Sequence, residues 1–317
     1  MPNSSEWDGL VFIWRRRALF LGEAGTSQDQ SVHAIKICVA LGGDFELSVG
    51  SRSKWKRYSA VIINSGVKHT AICKREEVFL IYLVPETEEG RNISALYLNG
   101  GKRRVYELPP LQLEQAIRDY SRFDCDKAKE ACDELIVRIG AATGKNLSPS
   151  VRLSKELSRN VRRTIDYIYS EIDAQLKARR FDKTRFTTLA IARELGVRES
   201  KLVKDFKEQV GLTIPRWFND IHLLVFLEQY AIKKEELKRR ERRLITALEN
   251  AKSKKERASI EGQLREIPRR IYEKQIAESL GFNLSTLCKR VKSRLGISIG
   301  DLEDATFLAC PAGGEET

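Results

Sequence analysis

No run of roughly 18 apolar residues interrupts this 317-residue chain, so no membrane-crossing helix is expected. The six cysteines, Cys38, Cys73, Cys125, Cys132, Cys288 and Cys310, contain no C-x-x-C pair and none of the dense spacing of a disulfide scaffold. They read as reduced, mostly buried thiols. Cys125 and Cys132, seven apart on one face of an expected helix, leave a redox or soft-metal sensor as the alternative. G-x-S-x-G, P-loop and H-E-x-x-H patterns are all missing, so no hydrolytic or nucleotide-cleaving chemistry presents itself. The first residues, Met1 to Asp8, lack the basic start and apolar core of an export signal, and a cytoplasmic protein is expected.

What the chain has is basic charge, unevenly placed. Residues 1–150 hold 21 Lys/Arg against 19 Asp/Glu, a net +2; residues 151–300 hold 35 against 20, a net +15; the last 17 hold five acids and no base. A nearly neutral half joined to a strongly basic one suggests a region that binds a polyanion, attached to something else. Phosphate neutralisation with counterion release drives most nucleic-acid affinity. Anionic membrane is the competing partner, but no segment has the aromatic-rich amphipathic pattern it prefers.

Short runs rich in Val, Ile, Phe and Tyr recur up to Leu98: 10–14, 32–41, 45–49, 60–64, 78–84 and 93–98. Between them stand turn signals at Gly22–Gly25, Gly42–Asp44, Ser65-Gly66 and Asn99–Gly101. This spacing predicts a β-sandwich or small barrel. After Pro109-Pro110 the period becomes helical. Leu111, Leu113, Ile117 and Tyr120 mark one helix, and Ala128, Cys132, Leu135, Ile136 and Ile139 a second. Residues 143–156, small, polar and punctuated by Gly and Pro, are the expected interdomain linker. Everything beyond reads as helix.

Within the helical half the chain repeats itself at an offset of 85 residues. Ile191-Ala192 falls on Ile276-Ala277, Leu195-Gly196 on Leu280-Gly281, Ser200 on Ser285 and Leu202 on Leu287. Lys204 then meets Lys289, Lys207 meets Lys292, Gly211 meets Gly296 and Ile214 meets Ile299. Ten identities in 24 gap-free positions mark an internal duplication. Each copy offers a helix ending at Gly, a short turn, and a second helix whose apolar pair (Leu202 and Phe206, or Leu287 and Val291) points inward. That is the helix-turn-helix layout, in which the second helix enters the major groove.

At 100° per residue, Ser200, Lys204 and Lys207 lie opposite the apolar pair, with Lys201 at the edge; Ser285, Lys289, Lys292 and Thr286 repeat the set. Arg198 and Asn283 stand at the helix starts. Their side chains suit bidentate contacts to G and A, whereas Lys207 and Lys292 suit phosphates. Ordinary three-helix cores with solvated charged faces would be the plain alternative. Two copies in register, both in the basic half, argue against it.

These residues resemble the AraC/XylS family of bacterial transcription regulators, through Leu189–Gly196, Leu202, Phe206-Lys207, Gly211, Trp217, Ile276-Ala277, Gly281-Phe282, Lys292 and Gly296. The likeness covers roughly residues 160–305. The N-terminal part is similar to that family's cupin-type domain through Arg17–Gly22, Ala60–His69 and Leu80–Pro85. Taken with the pattern, it implies an α+β chain. Residues 1–109 would form a cupin-like β-barrel, 110–142 a helical dimerisation segment, 157–305 a paired helix-turn-helix domain and 306–317 an acidic tail. The sequence departs from the family between Trp217 and Lys274, where one rigid helix is usual; residues 232–266 are expected to form an inserted, protruding helical hairpin.

The resemblance further implies double-stranded DNA as partner, a homodimer, contact with RNA polymerase and a small effector in the barrel, with Trp55, His69 and Tyr82 as candidate pocket residues. The alternative is a cupin-type metal enzyme with a basic interaction domain, or a non-specific DNA-associated accessory protein. Of the three histidines, His222 follows the first repeat, which leaves His33 and His69, one short of a three-His metal set. Neither a metal, a cofactor nor a catalytic residue is therefore assigned.

Overall fold

The computed structural model describes residues 7–50, 54–111, 120, 123–145, 156–178, 180–266, 273–296, 298 and 306–310. The expected helix over 111–120 and most of the 143–156 linker lie outside the described residues.

Nine described strands make one sheet: β1 (Asp8–Trp14), β2 (Arg17–Gln30), β3 (Ile35–Ala40), β4 (Phe45–Val49), β5 (Lys56–Tyr58), β6 (Ala60–Ile63), β7 (His69–Leu83), β8 (Val105–Glu107) and β9 (Thr306–Ala309). Their order is β8-β6-β3-β7-β2-β1-β9, with β4 bonded to β7 and β5. β7 organises the sheet: its first half pairs β4, its second half β3, and it pairs β2 along nearly its whole length. Register shifts near Ala24 and Ser27, and left-handed backbone at Lys74 and Arg75, bend the two long strands. The described pairings do not close into a barrel.

Alternation along the strands sends side chains to two cores. Ile35, Ile37 and Val39 point with Leu21, Phe79 and Ile81 toward α1 (Glu88–Tyr97) and α2 (Cys125–Thr143), which cover that face. Cys38, Phe20, Val61 and Leu80 point the other way, into a core continuous with the helical half. The sheet is thus a middle layer.

Two sequence expectations are corrected here. The Ile93–Leu98 run is not a strand but the end of α1, which starts where Thr87 Oγ1 accepts the Gly90 N–H. Gly22–Gly25 is not a turn but mid-strand in β2. Gly22 faces Gly9 of β1, and a Cβ there would come 2.1 Å from the Asp8 carbonyl oxygen, so glycine serves close strand approach rather than chain reversal.

The helical half comprises α3 (Arg159–Ala178), a 3-10 turn (Lys183–Phe186), α4 (Thr188–Leu195), α5 (Glu199–Val210), α6 (Ile214–Asn250), α7 (Lys254–Arg265), α8 (Glu273–Ser279) and α9 (Leu284–Leu295). With 37 residues, α6 is roughly 55 Å long. Its first half is buried up to Ala231; from Ile232 it projects outward, turns at Ala251–Ser253 and returns as α7. The first arm of the hairpin is thereby an uninterrupted extension of the helix that starts at Ile214.

Within the expected acidic tail, Thr306–Ala309 form a strand. β9 adds in parallel to β1, with Leu10 opposite Thr306 and Ile13 opposite Ala309. Cys310, expected as a free thiol, is disulfide-bonded to Cys125 of α2. Cys38, Cys73 and Cys132 are buried thiols, and Cys288 is exposed.

Candidate nucleic-acid interface

The duplication carries through to backbone geometry. α5 and α9 each have 12 residues and begin and end 85 positions apart. The turns before them hold Gly196 at φ 65° and Gly281 at φ 67°, left-handed values that a Cβ disfavours. Leu202, Phe206, Leu287 and Val291 are fully buried. Phe206 meets Trp217 of α6 edge-on at 5.6 Å, and Trp217 meets Tyr169 of α3.

All ten candidate DNA-contacting residues are exposed: Arg198, Ser200, Lys201, Lys204 and Lys207 on the first unit, and Asn283, Ser285, Thr286, Lys289 and Lys292 on the second. The two helix-start residues are not equivalent. Arg198 occupies the N-cap position of α5 without a side-chain cap bond, so its guanidinium is not used by its own helix. Asn283 caps α9, its Oδ1 accepting the Ser285 N–H at 2.9 Å, which leaves the amide NH2 but commits the oxygen. A bidentate contact from Asn283 requires that cap to open.

The units are riveted through His222, which the sequence left without a role. Its ring, fully buried in α6, stacks on Phe282 of the second unit at 4.0 Å, on Phe181 at 4.5 Å and on Phe218 at 5.1 Å. Burial, then the charges of Lys183 and Arg290, push its pKa down to about 3. The imidazole is neutral at ordinary pH and acts as an aromatic spacer. Arg294, at the end of α9, pairs with Asp220 at 2.9 Å and donates to the Ser31 carbonyl at 3.0 Å. The second unit is therefore fastened both to α6 and to the sheet.

Of the three candidate effector residues, Trp55 is 49% exposed at the sheet margin, while His69 and Tyr82 come together around a residue the sequence reading passed over. Lys36 is buried on the sheet face. Its Nζ donates to Gln30 Oε1 and to His69 Nε2 at 3.0 Å, and lies 5.0 Å from the centre of the Tyr82 ring. His69 Nδ1 faces the Val67 carbonyl at 2.7 Å, so Nδ1 carries the proton and Nε2 accepts. Burial lowers Lys36 to about 7; burial and the Lys36 charge lower His69 to about 3. A lysine among Val, Ile and Cys in a strand was the available signal, since such a residue is rarely buried without purpose.

Tyr82 also lines an apolar cavity of about 90 Å³ between the layers. Trp7, Phe20, Leu80 and, from β9, Phe307 supply the sheet wall, and Leu224, Leu227 and Leu295 the opposite one. Because the walls come from segments some 200 residues apart in sequence, strand patterning alone had no means of revealing it. Ion pairs of Arg15 with Asp173 and Glu228, at 2.7 and 3.3 Å, hold the layers together beside it.

No family profile and no curated protein matches this chain. Among solved structures it is similar to ToxT from Vibrio cholerae. An apo variant of ToxT has 12% identity and a TM-score of 0.49 over 91% of this chain and 97% of that one. The unsaturated fatty acid-bound wild type has 13% identity and a TM-score of 0.41 over 95% and 97%. The AraC-like transcriptional activator CuxR has 10% identity and a TM-score of 0.29 over 61% and 70%. The functional reading rests on the site itself.

Proposed function

We propose that this protein is a transcription regulator of the AraC/XylS kind that binds specific duplex DNA through α5 and α9. The observation that carries this reading is the duplicated unit. Two 12-residue helices, 85 positions apart, each bury an apolar pair and expose a polar, basic face behind a left-handed glycine. Lys204, Lys207, Lys289 and Lys292 neutralise phosphates, while Arg198, Ser200, Lys201, Asn283, Ser285 and Thr286 face base edges. Two such helices suit neighbouring major-groove segments about one helical turn, roughly 34 Å, apart.

The apolar cavity supports a second part of the reading: a small, largely apolar effector seated between the layers, with Tyr82 in its wall. An occupant there touches both the sheet and the helical half and so biases how they are held. A homodimer and a contact with RNA polymerase complete the reading. The chain is read as a non-enzyme.

Selection of bound sequences from a random duplex library, with the full chain at about 150 mM salt, tests this. Enrichment of a motif with two elements is the expected result. A chain that binds all duplexes alike, with steep salt dependence, instead supports a non-specific accessory role.

A further inference from the structure

Strand β9, which follows the helical half in sequence, joins the sheet by main-chain pairing. It pairs with β1, and the Cys310 N–H donates to the Ile13 carbonyl at 2.9 Å. From the other side it receives α6: Phe307 meets the Tyr230 ring edge-on at 5.6 Å, Lys234 lies 5.3 Å from the Phe307 ring centre, and Lys238 Nζ reaches Thr306 Oγ1 at 3.4 Å. Phe307 is also part of the cavity wall. Ten residues upstream, α9 is held against β2 where the Gln28 N–H donates to the Gly296 carbonyl at 3.5 Å.

A four-residue edge strand is a weak element on its own. This one is stapled. Cys310 is bonded to Cys125 at the start of α2, a helix whose apolar face is packed on the far side of the sheet through Ala128, Cys132, Leu135 and Ile139. The bond ties the strand to a helix packed on the opposite face of the sheet. A protein that works on DNA sits among reductants that keep thiols free, where a disulfide is a state rather than a fixture; this step rests on the reading under Proposed function.

We propose that Cys125 and Cys310 form a thiol–disulfide modification site that sets whether β9 stays docked, and with it the closure of the apolar cavity and the freedom of α9. Oxidation joins the two sulfurs by way of a mixed disulfide. A small-molecule disulfide takes up the two electrons and two protons and leaves as two thiols. Reduction by a thiol reverses the exchange. Cys125 is partly buried and Cys310 is 3% exposed, so the incoming thiolate attacks the Cys125 sulfur and frees Cys310, the end that carries β9.

The test equilibrates the full chain with reduced and oxidised glutathione at stepped ratios and reads alkylation by mass, with exposed Cys288 reacting in both forms as internal control. Hydrogen exchange of residues 306–309 and affinity for the selected duplex are then compared between forms. The expected result is a Cys125–Cys310 bond under oxidising ratios, β9 amides that exchange about ten-fold faster once it is reduced, and duplex binding about ten-fold tighter in the reduced form. Cys125→Ser and Cys310→Ser chains behave as the reduced form under both conditions. A chain that stays reduced under oxidised glutathione, or β9 amides that exchange alike in both forms, overturns the proposal. Equal duplex affinity in both forms overturns its regulatory half. Absence of any selected duplex overturns the DNA-binding reading instead, and β9 exchange then judges the switch alone.

Discussion

At the scale of single residues, the two helix starts separate base reading from helix stability. Because Asn283 caps α9, Asn283→Ala removes a cap worth about 1 kcal/mol as well as any base contact, and a loss of binding is then ambiguous. Asn283→Ser keeps a capping oxygen and removes the amide. Thermal unfolding of Asn283→Ser is expected to match the parent within about 0.5 kcal/mol while the selected sequence changes at one position. An unchanged preference takes Asn283 out of the base-reading set. Arg198, which caps nothing, is expected to shift preference in the first element when replaced by Ala, with no effect on melting.

The buried ionisable groups give pH predictions whose sign follows from their direction. His222 and His69 are both depressed to about 3 from an ordinary value near 6.5. Between those values the unfolded chain binds protons that the native state refuses, so stability is fully present above pH 6.5 and falls as pH drops below it. His222→Phe, which suits a stack of Phe181, Phe218 and Phe282, is expected to flatten that acid limb in a urea titration of stability against pH. An unaltered limb contradicts the account of His222 as a buried neutral ring. Lys36, lowered to about 7, has the same sign in a higher window: from pH 7 toward 10.5 the native state sheds a proton that the unfolded chain keeps, and stability rises. Lys36→Met is expected to raise the melting temperature below pH 7 and abolish that rise.

Among elements, the paired helices were the most legible, because their code is local. Ten matched positions placed α5 and α9, and the glycines placed the turns before them. The 3.6-residue period named the buried pairs Leu202/Phe206 and Leu287/Val291 correctly. Leu202→Ala and Leu287→Ala are each expected to cost about 2–5 kcal/mol by equilibrium denaturation, far more than any change at exposed Lys201 or Thr286. The hairpin was also readable, since charged residues with Leu at helical spacing continued past the point where α6 leaves the core.

The strands were read less well, for a physical reason. Gly22 looks like a turn residue, and its true constraint, the backbone of Gly9, is set by pairing that no window of sequence contains. Ile93–Leu98 has strand-like composition, but its fate is decided by the Thr87 cap upstream and by packing of Ile93 and Tyr97 against the sheet. The Cys125–Cys310 bond spans 185 residues and β9 pairs with β1 across a still longer separation, beyond the reach of composition.

For the whole molecule, the arrangement places the sheet against the helical half with an apolar cavity between them. Cavity filling at Leu227, for example Leu227→Trp, is expected to lower the affinity for an apolar fluorescent probe in a titration while leaving α5 and α9 free to bind duplex. The asymmetry of charge has the same architecture: the basic excess lies in the half that carries both helix pairs. Replacing Lys204 or Lys289 by Ala is expected to reduce the salt slope of duplex binding by about 1 each.

The most direct test of the central claim is nuclease or hydroxyl-radical protection of one selected duplex by the parent chain, by Lys204→Ala and by Lys289→Ala. The parent is expected to protect two elements about one helical turn, roughly 34 Å, apart. Lys204→Ala should weaken protection first at one element and Lys289→Ala first at the other. Uniform weakening of the whole footprint by both changes, or a single element that only one helix affects, contradicts a protein that reads DNA with both units.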